Sequence, residues 1–254
     1  MKMGGSSSKA AGAGDTGILE STLEAYALAQ EAAGALADLL ATKAKSRLKT
    51  VQQVEQDLDR IDRQVDAALA GAVAGTDQER ARELLTCMKM VIDLERVGDL
   101  FCSVATSMVA LGKRLETEDA GDLIRMATIL ERMLSDTYGG FATRNSDRAL
   151  AALRMDTEVD RLRNLMMIRH LESAPLHEPS ASVHVLFMAQ ALERAGDHVK
   201  NLAEEICHLT SGQTLRHVVR GAGNRAAAQM RLEALQPPRS ELASPVEREG
   251  NVPH

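Results

Sequence analysis

An eight-residue motif occurs twice in this sequence, and the repeat is the feature that most limits its possible folds. The first copy is DLERVGDL at residues 93–100, and the second is ALERAGDH at residues 191–198. The copies share Leu, Glu, Arg, Gly and Asp at equivalent places and are offset by 98 positions, from 93 to 191. The same offset carries the IDR of residues 61–63 onto the VDR of residues 159–161 without a gap. The sequence therefore contains an internal duplication.

The composition favours helices packed on helices. Hydrophobic residues make up 44% of the 254 positions, but aromatic residues make up only 2%, so the core must be aliphatic. Leu, Ala and twelve Met, with few β-branched or aromatic runs, are typical of helices rather than of a sheet. The formal charge of −6 argues against general binding of nucleic acid, which needs a basic surface. A phosphate-rich partner would need a metal bridge.

The cysteines and the hydropathy predict a cytoplasmic protein. Cys87, Cys102 and Cys207 are isolated, without CxxC spacing, and no hydrophobic signal segment precedes them. A reducing compartment is the simplest interpretation. No apolar run approaches the roughly 18 to 20 residues that cross a bilayer, so any membrane association is expected to be peripheral.

Apolar residues that recur at spacings of three and four predict six amphipathic helices. The first is expected to begin near Thr16 and the second to end by Gly71. A capping-box pattern at residues 76–79 predicts the start of the third helix, and Ser180 is the predicted N-cap of the sixth. Two glycines and a cluster of acids at residues 111–122 predict the link between the two copies.

Both ends of the chain lack this periodicity. Residues 1–15 are rich in Gly and Ser, and we expect a disordered arm there. Residues 218–254 are rich in Ala, Arg, Pro and Glu, and we expect a disordered tail. The folded part is therefore predicted to lie between them, in an all-α class.

Each octet places a Glu and an Asp at positions i and i+4, on one face of a helix. A single pair of this kind is usually solvated surface. Here, however, the repulsion of about 0.2 to 0.5 kcal/mol between like charges and the cost of up to about 1 kcal/mol for a mid-helix Gly recur in both copies. The recurrence favours a bound cation for the acids and a close helix approach at Gly98 and Gly196.

The helix before the second octet supplies the other half of a candidate metal site. Asp156 and Asp160 are also at i and i+4, and they would face Glu193 and Asp197 if the two helices are antiparallel neighbours. Asn201, one turn later, either adds a carbonyl oxygen or is an exposed polar residue. Such an all-oxygen set suits Mg²⁺, Ca²⁺, Mn²⁺ or iron, and the lack of a Cys/His set argues against structural zinc.

The equivalent positions in the first half have lost oxygen ligands. They are Leu58, Asp62, Glu95, Asp99 and Ser103. Leu58 also continues the apolar seam of its helix, and the acids on either side of it point about 100° away. We therefore predict that the first site is weaker or empty, with Asp62, Glu95 and Asp99 as its ligands, and that the second site is intact.

Three basic residues lie beside the acids of the octets. Arg96 and Arg194 either bind an anion or pair with acids on a neighbouring helix, and pairing is the favoured interpretation. His198 projects about 100° from Asp197, so it is interpreted as a surface or groove residue before a ligand.

The octets resemble the LERxGD signatures of the PhoU family. Residues 197–204, DHVKNLAE, are similar to that family's DHxxNxAE run, and MDTEVD at residues 155–160 is similar to its DxxVD segment. The resemblance covers about residues 16–217. It implies two tandem, pseudo-symmetric three-helix bundles, at residues 16–115 and 116–217, with multinuclear clusters of divalent or trivalent metal ions (iron, manganese, magnesium or zinc) on their acidic faces.

The resemblance also implies a function. Family members are cytoplasmic regulators, expected to be homodimers, that restrain the ABC-type phosphate transporter through its ATPase subunit. They also keep the associated phosphate sensor histidine kinase inactive when phosphate is plentiful. These partners are expectations of the resemblance and do not follow from composition.

Two alternatives to a regulatory adaptor stay open. One is a metal-dependent phosphoester or polyphosphate hydrolase that uses a metal-bound water as nucleophile. A hydrolase should have a base or a Lys/Arg clamp near the acids, and only Arg194 and His198 are candidates, so we predict that the chain is not an enzyme. The other alternative is a helical scaffold without metal.

Overall fold

Six α-helices build the part of the chain that the structure, a computed structural model, describes, which is residues 7–172 and 179–211. No strand occurs in that part. The helices are α1 (Ser7–Thr42), α2 (Lys45–Val73), α3 (Gln78–Leu111), α4 (Thr117–Ala142), α5 (Ser146–Glu172) and α6 (Pro179–Ser211), and a 3₁₀ turn at Gly112–Arg114 follows α3. The predicted all-α class with six helices is confirmed.

The helices form two three-helix bundles that share one extended contact surface. Helices α1, α2 and α3 contact one another in pairs, as α4, α5 and α6 do in the second half. The halves meet where α1 packs on α4 and α3 packs on α6. Four helices therefore form a central ring, with α2 outside α1 and α3 and with α5 outside α4 and α6. This arrangement gives the predicted pseudo-symmetry.

Aliphatic seams at helical spacing account for this packing. On α2 the seam residues are fully buried or nearly so, namely Val51, Val54, Leu58, Ile61 and Val65. Three of the five aromatic side chains lie at the contact between the halves. The Tyr26 ring of α1 lies with its centroid 6.0 Å from the ring centroids of both Tyr138 and Phe141 on α4.

A close approach of α2 to α3 places the acids of the first half on neighbouring helices. Gly98 is buried at the contact, and a Cβ atom built there would lie only 2.5 Å from Cδ1 of Leu58. The predicted close approach at this octet glycine is therefore confirmed. It also confirms that Leu58 is a packing residue, because its side chain is 1% exposed.

Three predicted helix starts differ from the structure. Helix α1 begins at Ser7, so residues 7–15 of the predicted arm are helical, and alanines there have the highest helix propensity. The N-cap of α3 is Asp77 rather than Thr76, because the Asp77 carboxylate accepts the Arg80 N–H at 2.8 Å. Helix α6 begins at Pro179, one residue before the predicted cap Ser180. The predicted tail at 218–254 lies outside the described residues.

Candidate functional site

The second carboxylate face, which consists of Asp156, Asp160, Glu193 and Asp197, lies between α5 and α6. Two ion pairs fix the register of these helices, because Asp156 pairs with Lys200 and Arg163 pairs with Glu193. The partner number falls from 200 to 193 as the α5 number rises from 156 to 163. The helices are therefore antiparallel neighbours, as the site prediction required, and their acids face one another.

Two basic side chains already occupy this face. Lys200 Nζ donates to Asp156 Oδ2 at 2.8 Å, and the Asp156 side chain is only 8% exposed. Arg163 Nη2 donates to Glu193 Oε1 at 3.3 Å, and the Gln190 amide donates to the other Glu193 oxygen. Two of the four predicted carboxylate ligands are thus hydrogen-bonded to cations of the chain.

No ion pair is seen for the other two acids of this face, Asp160 and Asp197, among the described residues. Burial, together with the charges of Asp156 and Asp197, raises the pKa of Asp160, while Lys200 and Arg163 act in the opposite direction. Asp197 itself is exposed. The mutual effect on Asp160 shows that Asp156, Asp160 and Asp197 lie close enough to repel one another when all are ionised.

Asn201, the fifth predicted ligand of this site, is turned toward the other half. Its Nδ2 donates to Asp93 Oδ1 on α3 at 3.4 Å, and His198 Nδ1 lies 2.7 Å from the same oxygen. The structure therefore brings Asn201 and His198 together with Asp93 and away from the carboxylates. Sequence reasoning missed Asp93. Asp93 differs from its counterpart in the second copy, Ala191, and that difference could have drawn attention to it.

The first carboxylate face lies between α2 and α3 and contains more acids than predicted. Besides Asp62, Glu95 and Asp99, it includes Glu55 and Asp59. Burial and then the charge of Asp99 raise the pKa of Glu55 and of Glu95. Burial raises the pKa of Asp62 as well, and the charges of Asp66 and Asp59 raise it further. The five acids of this face, with Asp66 beside Asp62, thus repel their ionised neighbours.

The arginines that pair with acids of the first face lie at its exposed edge. Arg96 approaches Glu95 at 3.4 Å and Asp99 at 3.6 Å, and its side chain is 56% exposed. Arg63 pairs with Asp59 at 2.8 Å and is also exposed. The sequence predicted that Arg96 would pair with acids on a neighbouring helix, but the acids that it approaches, Glu95 and Asp99, lie on its own helix α3. Sequence reasoning missed Glu55 because it compared the halves position by position, whereas the spacing of Glu55, Asp59 and Asp62 is itself a helical face.

The oxygen ligands of both faces suit a hard cation, but the carboxylates of each face are spread apart. Carboxylate oxygens are the ligands that Mg²⁺, Mn²⁺ and iron accept. Among residues 7–172 and 179–211, however, no three Asp, Glu, His or Cys side chains converge closely enough to hold a metal ion. Binding would need these side chains to move inward. The prediction that the second site binds metal better than the first stays a prediction. Lys200 and Arg163, which pair with acids of the second face, weigh against it.

A separate group of basic residues lies away from the two carboxylate faces. A wide cleft at the N-terminal end of α3 is lined by three arginines (Arg80, Arg82 and Arg144), by Glu83 and by His208, among others. Glu83 is buried and pairs with both Arg80 and Arg144. None of these residues belongs to either carboxylate face. In the described part of the chain, no helix has both the length and the apolar character needed to cross a membrane.

The chain has two repeated three-helix bundles, each with acids on its second and third helices. It is therefore a duplicated helical-domain protein. The family model described as "PhoU domain" matches residues 22–108 and 123–206, once in each half. This chain belongs to the PhoU family.

Curated relatives and solved structures agree with this assignment. The chain is 26% identical to the Pseudomonas aeruginosa phosphate-specific transport system accessory protein PhoU homolog, over 66% of this chain and 72% of that protein. It is 24% identical to homolog 1 from Thermotoga maritima, over 72% and 81%. The crystal structure of PhoU from Pseudomonas aeruginosa has a TM-score of 0.72 at 22% identity and covers 80% of this chain and 99% of that one. The last comparison supports the fold alone.

Proposed function

We propose that this chain is an accessory regulator of phosphate transport. The observation that carries the proposal is the PhoU domain in both halves, with the LERxGD octet on the third helix of each. Its relatives are named as accessory proteins of the phosphate-specific transport system, and the alignments span 72% and 81% of their lengths.

We propose further that it acts in the cytoplasm as an adaptor and not as an enzyme. It would restrain the ABC-type phosphate transporter through the ATPase subunit and hold the phosphate sensor histidine kinase inactive when phosphate is plentiful. The cations of the second face, Arg163 and Lys200, are paired with its own acids, and the three clustered arginines line a separate cleft. This arrangement supports an adaptor, because a phosphoryl-transfer site needs a cationic clamp directed at the substrate.

The regulatory role can be tested in the source organism by deleting the gene and measuring phosphate uptake in phosphate-rich medium. Deletion is expected to raise uptake and to activate the genes under the sensor kinase, and the intact chain is expected to restore both. Affinity capture from phosphate-replete cells should recover the transporter ATPase or the kinase. Unchanged uptake and gene expression would contradict the proposal.

Metal binding by the two carboxylate faces is part of the proposal. The predicted ligands are Asp62, Glu95 and Asp99 in the first half and Asp156, Asp160, Glu193 and Asp197 in the second, with Asn201 only if it turns away from Asp93. The crowding of ionised acids on both faces supports it, because a divalent or trivalent ion would remove the repulsion. Metal analysis of the purified chain after exposure to Mg²⁺, Mn²⁺, Fe²⁺ or Zn²⁺ tests it, and the absence of any bound ion would favour a metal-free scaffold.

The hydrolase alternative is tested separately. The purified, metal-loaded chain is expected to release no phosphate from aryl phosphates or polyphosphate above the rate of a Glu193→Ala variant. Turnover that Glu193→Ala abolishes would exclude a purely adaptor role. The expected homodimer is checked by light scattering on the same preparation, where a monomer would count against it.

A further inference from the structure

The second carboxylate face carries a lysine ammonium that is hydrogen-bonded to one of its acids, Asp156. Lys200 extends from α6 to Asp156 on α5, and the two charged groups lie 2.8 Å apart. The hydrogen bond to Asp156 and the charges of Asp156, Asp197 and Asp160 raise the pKa of Lys200. Three of the four acids of the face therefore act on one ammonium group.

We propose that the Lys200 ammonium is the built-in cation of the second carboxylate face and takes the place there that a metal ion would take. The inference rests on the proposed metal binding and narrows it: the second face, although it has all four predicted carboxylate ligands, would bind a metal ion more weakly while Lys200 is in place. In the second half, which has the more complete acidic motif, two of the four acids are paired with cations of the chain, whereas the first half would bind an external ion.

Comparison of equivalent positions supports this assignment. The arginines at 63 and 96 have counterparts at 161 and 194, so they cannot distinguish the two faces. Lys200 and Arg163, in contrast, correspond to Cys102 and Val65 at the offset of 98. The two cations that contact the second face are thus absent from the first. In the described part of the chain, the arginines that pair with acids of the first face, Arg63 and Arg96, are exposed.

Burial explains why the lysine would compete with a metal ion. Asp156 is among the most buried acids of the described residues, with 6% of its surface exposed, so its ionised form needs a close counter-charge. A metal ion on the same oxygens would have to displace the ammonium or share the face with it. A unit positive charge about 4 Å from a divalent ion raises the binding free energy enough to weaken affinity about tenfold or more.

The test is a Mn²⁺ titration of the full chain and of its Lys200→Met variant by calorimetry, with dialysis and metal analysis as a count of bound ions. The variant is expected to bind one Mn²⁺ more than the unmodified chain, or to bind at the second face about tenfold tighter. Adding Asp160→Asn to Lys200→Met should remove this gain. Lys89→Met is the matched control, because Lys89 pairs with Glu205 across α3 and α6 and its loss removes the same charge away from the face.

Far-ultraviolet circular dichroism and the melting temperature establish that each variant is folded. Equal stoichiometry and equal affinity in the unmodified chain and in Lys200→Met would overturn the proposal. If no variant binds Mn²⁺, both this inference and the proposed metal binding fail. The phosphate-uptake experiment would still decide the accessory role independently.

Discussion

Gly98 and Gly196 occupy the same position in the two octets, yet their surroundings differ. A Cβ atom at Gly98 would collide with Leu58, whereas a Cβ atom at Gly196 would lie 3.5 Å from Asp156 and Leu130, which is ordinary contact. The difference follows from the replacement of Leu58 by Asp156 in the second half. A glycine kept in both copies is therefore tightly packed against a neighbouring side chain in one of them only.

Gly98→Ala is expected to destabilise the chain by about 1 kcal/mol, because overpacking of about 1 to 3 kcal/mol outweighs the helix propensity of Ala. Gly196→Ala is expected to be neutral or stabilising by up to about 1 kcal/mol. Urea unfolding followed by circular dichroism measures both. Equal effects of the two substitutions would show that the predicted clash with Leu58 is relieved without cost.

The crowding of the first face predicts a pH-dependent gain from Glu95→Gln in a metal-free buffer. Burial and Asp99 raise the folded-state pKa of Glu95, so ionisation of this group as the pH rises costs folding free energy. The substitution removes that cost and is expected to stabilise the chain by about 0.3 to 0.5 kcal/mol at pH 7. The gain should disappear as the pH falls below about 4, where Glu is protonated in both states.

Glu158→Gln is the control for this measurement. The hydrogen bond from Arg161 lowers the pKa of Glu158, so its loss should destabilise the chain at neutral pH. The two substitutions are expected to change the midpoint of urea unfolding in opposite directions. A gain from both would mean that total charge, and not the local surroundings of Glu95, decides the result.

Sequence reasoning could identify the acids of each face but not their partners. The spacing of Glu193 and Asp197 fixes their shared side of a helix, because i and i+4 are always neighbours. The choice of Lys200 for Asp156, and of Asp93 for Asn201, depends on long side chains that can reach several acids. That choice is set by the packed helices and leaves no periodic signal.

At the scale of helices, the start of α4 is fixed by a buried ionic network. Asp119 is 1% exposed, and its carboxylate accepts a hydrogen bond from Arg169 at 2.7 Å and lies 3.1 Å from His170 Nε2 on α5. His170 Nδ1 lies 3.0 Å from the Ser182 hydroxyl of α6. One aspartate thus connects three helices of the second half. In the sequence it was only one acid of the predicted link.

Asp119→Asn is expected to destabilise the chain by about 3 kcal/mol, because it removes the buried carboxylate that Arg169 and His170 share. Glu118→Gln provides the comparison, since Glu118 also pairs with Arg169 but is 71% exposed. That change should lie within about 1 kcal/mol of the unmodified chain. Thermal unfolding of both variants measures the difference, and a similar small loss from each would show that Asp119 carries no special weight.

Helix interiors were predictable and helix ends were less so. The apolar period of α2 fixed its buried face, and that face is the one observed. The ends depend on which polar residue satisfies the first free N–H groups, and Thr76 and Asp77 are both suitable caps. At α1, the alanines among residues 7–15 favour helix while Gly and Ser oppose it, so composition alone misjudged the segment.

At the scale of the whole molecule, the two halves are expected to unfold together. Helices α1 and α4 share the contact between Tyr26, Tyr138 and Phe141, and α3 and α6 share the pairs of Lys89 with Glu205 and of Asp93 with His198. A half that unfolded alone would expose the apolar face of its partner. Cooperativity therefore follows from the central ring of four helices.

The aromatic composition makes this prediction measurable. The chain has no Trp and two Tyr, and both Tyr side chains lie at the contact between the halves. Near-ultraviolet circular dichroism reports on this contact, and the far-ultraviolet signal reports on all helices. The two signals are expected to have the same midpoint in urea. Loss of the tyrosine signal at a clearly lower urea concentration would show that the halves separate before they unfold.

The pair of Asp93 and His198 has a consequence for the assembly of the nascent chain. At the offset of 98, Asp93 corresponds to Ala191 and His198 corresponds to Leu100, so the pair exists once and not twice. If first halves of two ribosome-bound chains met through this surface, each Asp93 would face Leu100 and lose its partner. Mispaired second halves would leave His198 against Ala191. The contacts of Asp93 with His198 and Asn201 can therefore form only where a first half packs on a second half.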